Sequence, residues 1–288
     1  MNFAGTYTAL VTPFKNGEVD YGTLKKLVKL QLDAGVEGLV PVGTTGESPT
    51  LSVDEHLKVI ETVVNTASGG CSVVAGTGAN STAEAVHLTK MAKKAGADAT
   101  LQVTPYYNKP TPEGLYRHFS TVADECELPV VLYNVPGRSG ISIPVDVIER
   151  LSSNPLIQCV KEAGGSVDRV SAIKSVSDIA VLSGDDALLV PMMAVGASGV
   201  ISVASNIIPE KVKKLVDLCL ENNFEDARKM HLSLYPLFRD MFIETNPIPV
   251  KAAMAYKGML KEEYRLPLAP IAADNLNKLI ETMQKTGV

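Results

Sequence analysis

Eight short apolar runs rich in β-branched residues punctuate the chain: YTALV (7–11), GLVPV (38–42), SVVAG (72–76), ATLQV (99–103), PVVLYN (129–134), LIQCV (156–160), IAVLS (179–183) and GVISV (199–203). Between them lie segments with helical periodicity. Residues 20–35 place Leu24, Leu27, Val28 and Leu32 on one face, with Asp20 as cap and Gly35 as stop. Residues 52–67 open with Ser52 and Glu55 at capping-box spacing, and 81–96 end in lysines before Gly96. Near-continuous apolar strands alternating with helices imply a parallel sheet covered on both faces. Eight such units suit a closed (β/α)8 TIM barrel better than an open doubly wound sheet, which is the alternative. After GVISV no further strand pattern occurs. Residues 209–223, 224–242 and 247–259 read as helices, so a catalytic barrel over 1–223 and a C-terminal helical region over 224–288 are expected.

Composition narrows the classes of partner. The 288 residues carry 27 Lys and Arg against 32 Asp and Glu, a net charge of −5 with no basic run, which argues against nucleic acid and for a small-molecule partner. The start, MNFAGTYTALVTPFKNGE, lacks a basic segment followed by a long apolar one, so a cytoplasmic location is expected. Cys71, Cys126, Cys159 and Cys219 are far apart, and His56, His87, His118 and His231 show no ligand spacing; neither metal nor cofactor is expected. GTTGES has no P-loop lysine, and no GxGxxG follows the first strand.

In a parallel barrel the chemistry sits at the C-terminal ends of strands. There the chain places GTTGES (43–48), TPYYNKP (104–110), YNVPGRSG (133–140), KEAGG (161–165) and SGDDA (183–187). Taken alone, Thr44 and Thr45 could satisfy helix-terminal amides, Tyr106 and Tyr107 could be packing residues, and Arg138 a solvated charge. Lys161 is sharper, because an ammonium is costly to bury. Its ordinary pKa of about 10.4 leaves little free amine at neutral pH, and desolvation at a barrel mouth lowers that value. A lysine so placed attacks a ketone to form a Schiff base, whose iminium lets the neighbouring carbon act as an enamine. The competing reading is a Lys161–Glu162 surface pair. Alternation turns Cys159 and Lys161 into the barrel and Val160 outward.

Together, GTTGES, TPYYNKP, YNVPGRSG, CVKEA and LSGDDA resemble the dihydrodipicolinate synthase family, within the pyruvate-dependent class I aldolase superfamily that includes N-acetylneuraminate lyase. The likeness runs from GTYTALVTPF to NPIPVKAAMAYKGM, nearly the whole chain. It implies that Lys161 forms the Schiff base with pyruvate and that Thr44 and Thr45 hold the pyruvate carboxylate. Tyr133 would relay protons, linked through Thr44 to Tyr107 from another subunit. Gly184 and Ile201 would shape the pyruvate pocket, and Arg138 would take the carboxylate of aspartate semialdehyde. The implied enzyme condenses pyruvate with L-aspartate 4-semialdehyde to 4-hydroxy-tetrahydrodipicolinate, and works as a homotetramer, a dimer of dimers. A sialic acid lyase would lack that arginine and carry a serine for the first threonine of GTTGE.

The resemblance also implies feedback inhibition by lysine at a site of Ser48, His56, Asn80, Glu84 and Tyr106, with Pro49 and Val53 departing from the sensitive pattern. The alternative there is a set of helix-face residues satisfying one another. Two further readings stay open: a Schiff-base aldolase for another aldehyde, against which Arg138 argues, and a silent barrel that senses a keto acid.

Overall fold

The computed structural model describes residues 1–288. Its eight parallel strands are β1 Gly5–Ala9, β2 Gly38–Val40, β3 Ser72–Gly76, β4 Ala99–Val103, β5 Val130–Asn134, β6 Ile157–Glu162, β7 Ala180–Ser183 and β8 Gly199–Ser202. They close in sequence order, with β8 returning to pair with β1 through Gly199 and Gly5. Closure excludes the open sheet. It also requires a glycine: a Cβ on Gly199 would lie 2.0 Å from the Gly5 carbonyl oxygen.

The barrel helices are α1 Tyr21–Asp33, α2 Val53–Ala67, α3 Thr82–Lys94, α4 Pro112–Cys126, α5 Val145–Ser152, α6 Val167–Val176, α7 Leu189–Ala194 and α8 Pro209–Leu220. Their local signals act as expected. Asp20 accepts from the Thr23 amide, and Ser52 and Glu55 form a reciprocal capping box. Leu24, Leu27 and Val28 of α1 are buried, each fully buried side chain stabilising the fold by about 1.5–3 kcal/mol. The α1 stripe also contains Gln31, an unexpected polar member, satisfied by Thr8 Oγ1 at 2.7 Å and the Ser205 carbonyl at 2.9 Å.

The strand residues divide between two layers. Tyr7, Val40, Val131, Tyr133, Cys159, Leu182 and Ile201 fill the barrel interior, while Val130, Leu132, Val160 and Val181 join the layer beneath the helices. Thus Cys159 faces in and Val160 out. Strand limits match expectation for β3 and β4 and differ for the other six, with the most telling shifts at β1 and β6. The first strand runs over 5–9 rather than 7–11, and β6 continues through Lys161 and Glu162, which the sequence had placed in the following loop. The reason is pairing: Lys161 lies opposite Tyr133 and Leu182, and Glu162 opposite Asn134 and Ser183.

Beyond the barrel lie α9 Phe224–Asp240, α10 Ile248–Tyr256 and α11 Ala273–Lys285, the last of which the sequence reading did not identify. Leu237, Phe238, Met254, Leu279 and Met283 belong to the same buried cluster as the barrel's outer layer. No helix is long and apolar enough to cross a membrane.

Candidate active site

At the C-terminal end of the strands a cavity of about 220 Å³ is lined by residues that include Thr44, Ser48, Leu101, Tyr106, Tyr133 and Arg138. That volume is below the ~300–1,000 Å³ of drug-sized pockets and suits short acids. Lys161 lies within the barrel beside Tyr133, one of the lining residues. The residue is 6% exposed, and its amine sits 4.2 Å from the centroid of the Tyr133 ring and enters no ion pair. A buried lysine without a carboxylate partner is rare and makes this amine the most chemically conspicuous group of the interior.

Lys161 and Glu162 are both buried, so the expected alternative of a surface pair does not describe this chain. Glu162 points to the opposite side of the strand, where it is fully buried and bound to Arg169 at 2.8 Å and Asn134 at 2.8 Å. Beside the lysine, Gly184 leaves no room for a side chain: a Cβ would lie 2.7 Å from the Ala163 Cβ and 3.0 Å from the Lys161 Cε. Ile201, 1% exposed, completes the apolar packing within the barrel.

The GTTGES loop forms a second wall. Thr44 lines the cavity, while Thr45 is 3% exposed and its hydroxyl oxygen accepts from the Asn246 side-chain amide at 2.9 Å. That contact leaves the Thr45 proton free to donate. The Asn246 carbonyl in turn accepts from Arg138 at 3.0 Å, so one residue from the C-terminal region braces both. Sequence reasoning missed this role for Asn246. Its only signal was a place in NPIPVKAA, and its partner Thr45 is 201 positions away.

Tyr107 is not brought to the site within one chain. It has φ +64° and is 92% exposed, and no hydrogen bond joins it to Thr44 or Tyr133. Of the five residues expected to bind lysine, four form two hydrogen-bonded pairs. His56, 6% exposed, donates from Nε2 to the Gly76 carbonyl at 2.8 Å, leaving Nδ1 to accept from Ser48 at 3.5 Å. Burial pushes the His56 pKa down, which favours this neutral form. Asn80 accepts from the Tyr106 amide at 3.0 Å, whereas the exposed Glu84 carboxylate has no ion-pair partner in the chain.

A model of the dihydrodipicolinate synthetase family matches residues 2–286. The chain belongs to that family. It is 50% identical over 283 residues to the 4-hydroxy-tetrahydrodipicolinate synthase of Hydrogenobaculum sp. (strain Y04AAS1), with 98% of each chain covered. The solved structure of the synthase from the thermoacidophilic methanotroph Methylacidiphilum fumariolicum SolV superposes with a TM-score of 0.98 at 51% identity, covering 99% of this chain and 96% of that one. A family structure from Cyanidioschyzon merolae with lysine bound superposes with a TM-score of 0.96 at 39% identity, covering 99% and 98% of the two chains. Membership makes this protein an enzyme, a TIM-barrel lyase serving lysine and diaminopimelate biosynthesis.

Proposed function

We infer that the enzyme condenses pyruvate with L-aspartate 4-semialdehyde through a Schiff base on Lys161. The observation that carries this reading is a buried amine without a carboxylate partner, packed against Tyr133, which lines a cavity together with Thr44 and Arg138. Thr44, Thr45 and the amides of their loop receive the pyruvate carboxylate. The Lys161 amine attacks the keto carbon, and loss of the oxygen as water gives an iminium. Tyr133, beside the amine, moves protons at the reacting carbon. Removal of a methyl proton then gives an enamine. The enamine carbon bonds to the aldehyde carbon of the second substrate, whose oxygen takes a proton. Attack of that substrate's own amine on the iminium closes the ring and releases Lys161, so one water is lost overall.

Arg138 orients the second substrate. One guanidinium nitrogen is fixed on Asn246, leaving other donors for a carboxylate. Arg138→Ala lowers kcat/KM for the semialdehyde by roughly 10- to 100-fold, the loss of a charged hydrogen-bonded pair. Borohydride trapping of pyruvate persists in that variant. Unchanged kinetics with the semialdehyde would refute the substrate assignment.

The exposure of Tyr107 supports its donation to a neighbouring subunit in a dimer, two of which make the tetramer. L-Lysine is proposed as an inhibitor at Ser48, His56, Asn80, Glu84 and Tyr106, with the Glu84 carboxylate receiving an ammonium. The support is that free carboxylate and the lysine-bound relative. In Glu84→Ala the lysine concentration for half inhibition rises about tenfold or more; identical titrations of variant and wild type would reject the site.

The direct test is reduction with borohydride in the presence of pyruvate, followed by intact mass and peptide mapping. The expected result is a single adduct on Lys161. A protein that stays unmodified while turning over substrate would overturn the mechanism.

A further inference from the structure

Lys161 faces the barrel interior because β6 carries one residue more than its partner. In the pairing of β5 with β6, Val130 lies opposite Ile157, but Val131 lies opposite Cys159, so Gln158 has no counterpart. Ile157 belongs to the outer layer and Cys159 to the interior, which breaks the simple alternation at that point. Continued without the extra residue, the pairing would set Val160 opposite Tyr133 and Lys161 opposite Asn134. A slip of one residue turns every later side chain to the other face. Lys161 would then point toward the helices and Val160 toward the cavity. Bulges at barrel rims commonly re-aim a side chain in this way.

At the other end of the shifted stretch the register is locked. Asn134 and Glu162, the residues following Tyr133 and Lys161, lie opposite one another and point outward. The Asn134 amide donates to both Glu162 oxygens at 2.8 and 3.0 Å, and its oxygen accepts from the Ile143 amide at 2.9 Å. Glu162 also accepts from the Gly164 amide at 2.7 Å and from Arg169 Nε at 2.8 Å, while Arg169 Nη2 donates to the Ile143 carbonyl. Both Asn134 and Glu162 are fully buried, so each donor and acceptor relies on these partners.

We propose that Glu162, with Asn134 and Arg169, is a positioning residue for the reaction: the knot behind the strands holds the one-residue register shift that aims Lys161 at Tyr133 and the cavity. This rests on the Schiff-base role of Lys161. The knot lies on the opposite face of both strands from the substrate cavity, and none of its three members lines that cavity. Its effect is therefore on the rate of imine formation rather than on pyruvate affinity, which the GTTGES loop governs.

The test compares wild type, Glu162→Gln, Arg169→Ala and Arg169→Lys. Glutamine keeps an acceptor for Gly164 and Asn134 but turns an amide toward Arg169; lysine keeps charge while losing the fork to Ile143. With folding verified by circular dichroism, kcat and the rate of borohydride trapping at saturating pyruvate should fall about tenfold or more in Glu162→Gln and Arg169→Ala. Small displacements of reacting groups have effects of that order. KM for pyruvate should stay within about threefold, and Arg169→Lys should retain more activity than Arg169→Ala. Should one of the first two variants fail to fold, the other carries the test together with Arg169→Lys, which is expected to trap pyruvate more slowly than wild type. Folded variants that trap pyruvate at the wild-type rate, even with a lowered melting temperature, would overturn the positioning role and leave the Schiff-base reading intact. A wild-type enzyme that forms no adduct on Lys161 would overturn that reading and the positioning role with it.

Discussion

On the proposed Schiff-base mechanism, replacing Lys161 with alanine lowers kcat by at least about 10³-fold, because the reaction would lose its nucleophile and with it the iminium that activates the pyruvate methyl group. Lys161→Arg fares no better. A guanidinium is always charged and carries no free lone pair, so it cannot form the imine even if it fits the space. Neither variant should unfold, since the amine takes part in no ion pair whose partner would be stranded; its main contact is the face of Tyr133. The measurement is steady-state turnover beside a thermal melt. Activity above about a tenth of wild type in a folded Lys161→Ala enzyme would show that the buried amine is not the nucleophile.

Lys251→Met produces the largest expected loss of stability. Lys251 and Glu47 are both fully buried, with Nζ 2.5 Å from Oε1. The ammonium also donates to the Glu263 carbonyl at 2.6 Å and lies 4.4 Å from the centre of the Phe14 ring. Burial pushes the Lys251 pKa down, and the Glu47 carboxylate opposes that shift. Removing one partner of such a pair strands the other charge in a dry site, at a cost of about 3–5 kcal/mol. For a domain of this size that corresponds to a fall of roughly 6–20 °C in Tm. The double variant Lys251→Met, Glu47→Gln, which leaves no net charge behind, should recover part of the loss. A single variant that melts within about 1 °C of wild type would contradict the assignment of a desolvated ion pair. Glu47 belongs to the GTTGES loop and holds φ +55°, so on the proposed mechanism, in which that loop receives pyruvate, the single variant should also weaken pyruvate binding by loosening it.

The barrel was legible because its signals are local. A strand buried on both faces needs apolar residues throughout, and capping and stop residues mark helices within a few positions; hence SVVAG and ATLQV match β3 and β4 over 72–76 and 99–103. The end of β6 was not legible. Lys161 and Glu162 look like loop residues until their partners are seen, since only Tyr133, Arg169 and Asn134 make a charged pair of neighbours tolerable inside a sheet. Helix α11 escaped notice because its buried face, centred on Leu279 and Met283, is narrow and its start lacks a side-chain cap. Asn246 and Lys251 were invisible as site residues for a different reason. They meet Thr45 and Glu47 across 201 and 204 positions, a separation over which no periodicity or spacing carries information.

By itself, the sequence determined the alternation of strand and helix, the number of units, the helix boundaries set by caps, and the set of reactive side chains at the strand ends. Each depends on hydrophobic period or on hydrogen bonds between near neighbours. Tertiary structure decided how those side chains are aimed. The extra residue at Gln158 sets which face of β6 carries the amine, the Asn134–Glu162–Arg169 knot holds it there, and the C-terminal region braces Thr45 and Arg138 through Asn246. It also left Tyr107 exposed and outside the lining of its own chain's cavity. The physical reason is that register and long-range contact are properties of two segments at once: neither strand alone contains the offset between them.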